Sequence, residues 1–198
     1  MQTLLVATGN RHKVEEIREI LAPHGFAVIG AAERGGMPEV VEDGKSFREN
    51  AIKKALAGAK AFGEMVLADD SGLEVFALGG APGIYSARYA AEGGNDGRNL
   101  AKLLHNLEGI TEREARFVCV IAIASADGSL LGTAEGEVRG RIALAPAGVG
   151  GFGYDPAFIP DGFDKTFGEL PSEIKNCLSH RANALQKALQ DILLKRER

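Results

Sequence analysis

Met65-Val66-Leu67-Ala68-Asp69-Asp70-Ser71-Gly72 is the stretch on which the fold turns. Its four apolar residues read as a buried strand, and Ser71-Gly72 reads as the turn that ends it. The two carboxylates then stand at a strand end, where ligands bind in open α/β sheets. Successive strand residues point to opposite faces, so the Asp69 and Asp70 side chains are expected to diverge rather than share a proton. One can then face a ligand while the other braces the loop. Carboxylates are natural ligands for a hard cation such as Mg²⁺. Asp-Asp-Ser-Gly also suits a solvated turn, and the rest of the chain has to separate the two readings.

Upstream, Thr3 to Thr8 reads as a short buried strand and Gly9-Asn10 as a turn. Val14, Ile17, Arg18 and Leu21 then recur at helical spacing up to Pro23. Phe26 to Gly30 resembles a second strand. Ser46, with Glu49 three residues on, predicts a capping box opening a helix that runs to about Gly63. Downstream, Asn95 to Leu107 reads as a helix. Arg116 to Ala126 and Ser129 to Val138 flank Asp127-Gly128, a hairpin signal. A further strand is expected near Arg141 to Leu144, and an amphipathic helix over Ser179 to Leu194. Strands and helices alternate early and antiparallel strands dominate later, which predicts an α/β fold with a mixed sheet in a single domain, residues 1–198.

The 198 residues are 45% hydrophobic and 25% charged, an ordinary globular balance with a net charge of −4. The sole basic cluster is Lys195-Arg196-Glu197-Arg198, read as a helix end. A duplex-binding surface needs clustered Lys and Arg and is not expected. Of the two cysteines, Cys119 lies in the apolar run Phe117 to Ile123 and Cys177 in a helical stretch. Neither has a close Cys/His partner, which argues against a zinc site. No charged leader precedes the first strand and no run reaches membrane-span length, so a cytoplasmic, reduced protein is expected.

Four constellations can carry chemistry. Thr8-Gly9-Asn10-Arg11-His12-Lys13 joins the first strand to the first helix. A helix start offers unpaired N–H groups to an anion, Gly9 admits close approach, and Lys13 adds a charge; the same residues also make a plain corner. Glu42-Asp43-Gly44 precedes the capped helix, on which Lys54 lies one turn from Asn50. Lys54 can reach a phosphate while Glu42 helps Asp70 hold a cation; solvated surface charges are the competing reading. Gly148, Gly150 and Gly153 spell G-x-G-x-x-G, but Pro156 follows and no helix begins, which rejects a dinucleotide loop. That loop can instead lay the Phe152 ring on a flat base, or simply pack on itself. His180 and Arg181 sit in the first turn of the last helix, where cations oppose the dipole unless an anion compensates.

Taken together, Ala7-Thr8-Gly9-Asn10 with Lys13, Ser46 to Ala51, Ala68 to Leu73, Gly79 to Tyr89, Gly151 to Pro156 and Ser179-His180-Arg181 resemble the non-canonical purine nucleoside triphosphate pyrophosphatase family, the inosine/xanthosine triphosphatases. The resemblance implies an elongated mixed β-sheet with flanking helices, two lobes around a central cleft, and a homodimer. It implies Mg²⁺-dependent hydrolysis of ITP, dITP and XTP to the monophosphate and pyrophosphate, cleansing the nucleotide pool, with water attacking the α-phosphorus. By position, Asp70 becomes the proton acceptor and a metal ligand, Glu42 a second acidic ligand, and Asp69 their support. Thr8, Asn10, Lys13, Lys54 and Lys175 become the triphosphate contacts, in a substrate-binding turn that includes Gly9, Arg11 and His12. Ser71, Phe152, Gly153, Tyr154, Asp155, His180 and Arg181 become the nucleoside pocket.

Base choice follows from that assignment. Hypoxanthine and xanthine carry a six-position carbonyl to which Arg181 and His180 can donate. The amino group of adenine would leave such donors unpaired, a severe penalty in a buried site. A catalytically silent nucleotide-binding module is the alternative. Retention of both Asp69 and Asp70 argues against it, since carboxylates beside a polyphosphate are unhelpful without a metal. A phosphatase of other metabolites is disfavoured by the base-facing loop.

Overall fold

The computed structural model describes residues 2–194. β1 (Gln2–Val6) and β2 (Phe26–Gly30) pair in parallel, joined by α1 (Arg11–Leu21). The Asn10 side chain caps α1, accepting from the backbone N–H groups of His12 and Lys13, and Val14, Ile17 and Leu21 form its buried stripe. α2 (Phe47–Phe62) starts at Ser46, whose hydroxyl accepts from Glu49 N at 3.2 Å. The expected capping box is only half made: the Glu49 carboxylate accepts from Lys45 N at 2.8 Å, one residue too early.

β3 (Val66–Val75) pairs in parallel with β1 and corrects the sequence reading. The turn expected at Ser71-Gly72 is absent, and the strand runs straight through it. Leu73 and Val75 are both fully buried, and Leu73 N donates to the Ser86 hydroxyl at 2.9 Å. Burying that apolar pair outweighs the turn preference of Ser-Gly. Asp69 and Asp70 therefore lie in mid-strand, not at a strand end.

α3 (Asp96–Asn106) begins at its Asn95 cap. β4 (Glu114–Ala124) and β5 (Leu130–Ile142) form the expected hairpin, with Gly128 in the left-handed region of its turn. No separate strand covers Arg141 to Leu144. Arg141 and Ile142 instead end β5, paired antiparallel with the short β6 (Phe158–Pro160). The six strands follow the order β2-β1-β3-β4-β5-β6, so the sheet is mixed as predicted. α4 (Ser172–Leu178) ends at Ser179, whose backbone is extended, and α5 (His180–Ala188) follows, continued by one wider π turn over Leu189–Leu193. The basic end Lys195 to Arg198 lies outside the described residues. No helix among the described residues is long and apolar enough to cross a membrane.

The chain divides into two compact units. Among the described residues, unit 1 comprises 2–70, 119–136 and 181–194, and unit 2 comprises 71–118 and 137–180. The core of unit 1 includes Leu4, Val6, Ile17, Leu67, Cys119, Ile121 and Leu185. That of unit 2 includes Leu73, Leu103, Phe117, Tyr154, Phe158 and Phe167.

Candidate active site

In unit 1 the pleat of β3 sends its two aspartates to different partners, as strand alternation requires. Asp69 is 0% exposed and meets Lys13 Nζ at 3.0 Å and Arg181 Nη2 at 3.2 Å. Arg181, 1% exposed, also pairs with Glu16 on α1. Two carboxylates thus compensate a cation in the first turn of α5, which resolves the misfit with the helix dipole. Burial alone would raise the Asp69 pKa, but the charges of Lys13, Arg181 and Lys54 outweigh it and hold the carboxyl well below the usual range.

Asp70 turns to α2. Lys54 Nζ lies 2.7 Å from its Oδ1, and Asn50 Nδ2 donates to its Oδ2 at 3.3 Å. Glu42 approaches the same ammonium at 3.4 Å. Burial raises the Asp70 pKa, Lys54 opposes that shift, and the like charge of Glu42 adds to it, leaving the group above the usual carboxylate value. Burial lowers Lys54, yet Asp70, Asp69 and Glu42 together keep it above the usual lysine value. Asn50 is itself fixed, since its side-chain oxygen accepts from Gly44 N at 2.9 Å. A Cβ at Gly44 would overlap that oxygen, so only glycine fits there.

The turn before α1 is also accounted for. Thr8 Oγ1 accepts from Asn10 N at 3.2 Å, and Asn10 Oδ1 caps the helix. Arg11 and His12 are exposed. Thr8, Gly9 and Arg11 border a groove of about 460 Å³ completed by Val14, Arg18 and Glu33.

Unit 2 holds the other predicted residues. Lys175 Nζ lies 2.6 Å from Asp155 Oδ2, which also accepts from Phe152 N at 2.7 Å. The same ammonium stands 4.9 Å from the centre of the Phe152 ring. Gly153 N donates to Asp96 at 3.0 Å, and the Tyr154 hydroxyl donates to Ser86 O at 2.8 Å. The His180 ring stacks on Phe117 at 4.8 Å. Ser71 is half-buried on β3. Tyr154 and Asp155 are buried as supports of the glycine loop, with Gly151, at φ 70°, leaving no room for a Cβ beside Asp155.

All three lysines expected at a triphosphate, Lys13, Lys54 and Lys175, thus clasp carboxylates. Sequence reasoning missed Glu16 and Asn50. Both left a signal: Glu16 is one turn beyond Lys13 on α1, and Asn50 one turn before Lys54 on α2.

Fold and site define a class of mixed-sheet α/β proteins with paired mid-strand aspartates, each held by lysine. The chain belongs to the Ham1 family, whose model matches residues 4–191. It is 53% identical to the dITP/XTP pyrophosphatase of Desulforamulus reducens, covering 94% of each chain. It is 51% identical to the dITP/XTP pyrophosphatase of Bacillus subtilis, covering 94% of this chain and 95% of the relative. The Ham1 protein of Staphylococcus aureus superposes with a TM-score of 0.84 at 43% identity, over 100% of both chains. A HAM1 protein from Coxiella burnetii gives 0.85 at 38% identity, over 99% of this chain and 100% of the other.

Proposed function

We propose that this chain hydrolyses non-canonical purine nucleoside triphosphates, dITP, ITP and XTP, to the monophosphate and pyrophosphate. The full-length match to two relatives named for that activity supports the reading. The observation that carries it is the divergence of Asp69 and Asp70. Neighbouring carboxyls whose environments drive their pKa values apart mark a division of roles. Asp69 stays ionised and holds Lys13 and Arg181. Asp70, raised above the usual value, is the better proton acceptor for a water attacking the α-phosphorus. Asn50 fixes its orientation.

Asp70 and Glu42 converge on one ammonium, and two carboxylates facing a single positive centre suit Mg²⁺ as a donor set. Bound there, Mg²⁺ would neutralise charge on the polyphosphate. Lys13 and Lys54 serve the phosphates, near the turn Thr8 to Asn10. In unit 2, Phe152 offers a stacking face, worth about 1–3 kcal/mol per base. His180, set by Phe117, and Arg181 are further nucleoside contacts, and Lys175 is a triphosphate contact. The proposal includes a cytoplasmic homodimer.

A panel of dITP, ITP, XTP, GTP and ATP, scored for pyrophosphate against orthophosphate, tests the reading. Pyrophosphate is expected from the first three with Mg²⁺ present and far more slowly from ATP. Orthophosphate as the sole inorganic product would rule out the assigned bond.

A further inference from the structure

Resting on that reading of the site, we propose that the Lys54 ammonium is a built-in substitute for the metal cation. It occupies the Asp70 and Glu42 carboxylates in the free enzyme and keeps a divalent cation from binding until a polyphosphate arrives. The substrate is then the metal–triphosphate chelate, and metal and nucleotide load together.

Three observations carry this. Lys54 is 8% exposed and rises from the middle of α2, so it is not a solvated surface lysine. Its Nζ lies 2.7 Å from Asp70 Oδ1 and 3.4 Å from Glu42 Oε2, between the two carboxylates that form the cation donor set. The second oxygen of Asp70 is taken by Asn50, so the oxygen held by Lys54 is the one a cation must acquire.

A divalent cation entering alone has to displace a full positive charge in a poorly screened site. The displaced ammonium has no equivalent partner there, and an uncompensated buried charge is strongly unfavourable. A polyphosphate changes both terms at once. It gives Lys54 new anionic acceptors and gives the cation additional oxygens. Metal and nucleotide therefore assist one another reciprocally, and couplings of this kind span about 5- to 150-fold. Lysine suits the exchange, because its charge sits on a flexible four-carbon stem that can turn from one anion to another.

The test is Mn²⁺ binding without nucleotide, followed by electron paramagnetic resonance of the free ion. Wild-type protein is expected to bind weakly and Lys54→Met to bind at least about tenfold more tightly. Lys54→Gln, a polar residue of similar reach, repeats the gain should the methionine variant fold poorly. Lys54→Arg, which keeps the charge, stays weak. Lys53→Met removes the same charge from the exposed neighbour on α2 and leaves Mn²⁺ binding as in the wild type. Adding Asp70→Asn to Lys54→Met abolishes the gain. Unchanged affinity in both neutral Lys54 variants overturns the proposal, as does an equal gain in Lys53→Met or a gain that survives Asp70→Asn. Pyrophosphate release from dITP by the same wild-type preparation separates the two claims. If it occurs without the Mn²⁺ effect, only the Lys54 exchange fails; if it is absent, the assigned activity fails.

Discussion

On one face of β3, Asp69 is sealed among Lys13, Arg181 and, through Arg181, Glu16. On the other, Asp70 has Lys54, Asn50 and the neighbouring Glu42. The residues are adjacent, chemically identical and both buried. What differs is the sign of the charge around them. Asp69 is bracketed by two cations, whereas Asp70 shares Lys54 with a second carboxylate, Glu42. The first arrangement fixes a charge permanently. The second leaves a carboxylate whose ionisation is costly, in keeping with the base proposed for it. Both carboxyls are pushed up by burial, and the cations beside Asp69 overturn that push while those beside Asp70 do not.

Removing the compensated member should have the largest effect. Asp69→Asn takes its carboxylate from Lys13 and one of its ion pairs from Arg181, and a loss of about 3–5 kcal/mol in stability is expected from urea unfolding. Wild-type stability in that variant would dissolve the contrast. Asp70→Asn should reverse the pattern: turnover falls about 10²-fold or more, the scale of a positioned base. Nucleotide should still bind, as calorimetry would show. Near-normal turnover would remove Asp70 from its role.

Gly44→Ala sharpens the Asp70 side without touching it. Its methyl displaces the Asn50 oxygen, and a misplaced Asp70 should cost roughly tenfold in kcat with Asp69 unaffected. The smallest effect is the pH dependence of stability, where the two residues have opposite signs. Asp69 has a depressed folded pKa, so its contribution is present above the unfolded value of about 3.9 and is lost as pH falls through the folded value. Asp70 has a raised folded pKa, so its contribution is present below about 3.9 and is lost as pH rises through the folded value. Urea unfolding across pH should show a shallower acid slope in Asp69→Asn and a flatter response at higher pH in Asp70→Asn. Equal slopes in both variants would contradict the division.

Local chemistry made much of this legible. The Asn10 and Ser46 caps, the stripe Val14-Ile17-Leu21, the Asp127-Gly128 hairpin and the divergence of the two aspartates all follow from neighbours a few residues apart. The errors have the opposite character. Ser71-Gly72 is a strong local turn signal, overridden by burial of Leu73 and Val75 in a core assembled from distant segments. β6 is three residues long and takes its register from β5, so no periodicity could reveal it. Arg181 looked unsatisfied because Glu16, which compensates it, lies 165 positions away. The partners of Lys54, Asp70 and Glu42, come from three-dimensional packing and are not legible in its spacing.

The core of unit 1 gathers Leu4 and Val6 from the first strand with Leu185, Leu189 and Leu193 from the end of the chain. That arrangement governs the order in which the protein can mature on the ribosome. β1, α1 and β2 emerge early, but the core they share is completed only when α5 has been made. At about 5–20 residues per second, that delay lasts roughly 8–33 s. Throughout it, the Glu16 side chain of α1 awaits an arginine not yet synthesised. A stalled or shortened chain would leave the part of that core that α5 closes exposed.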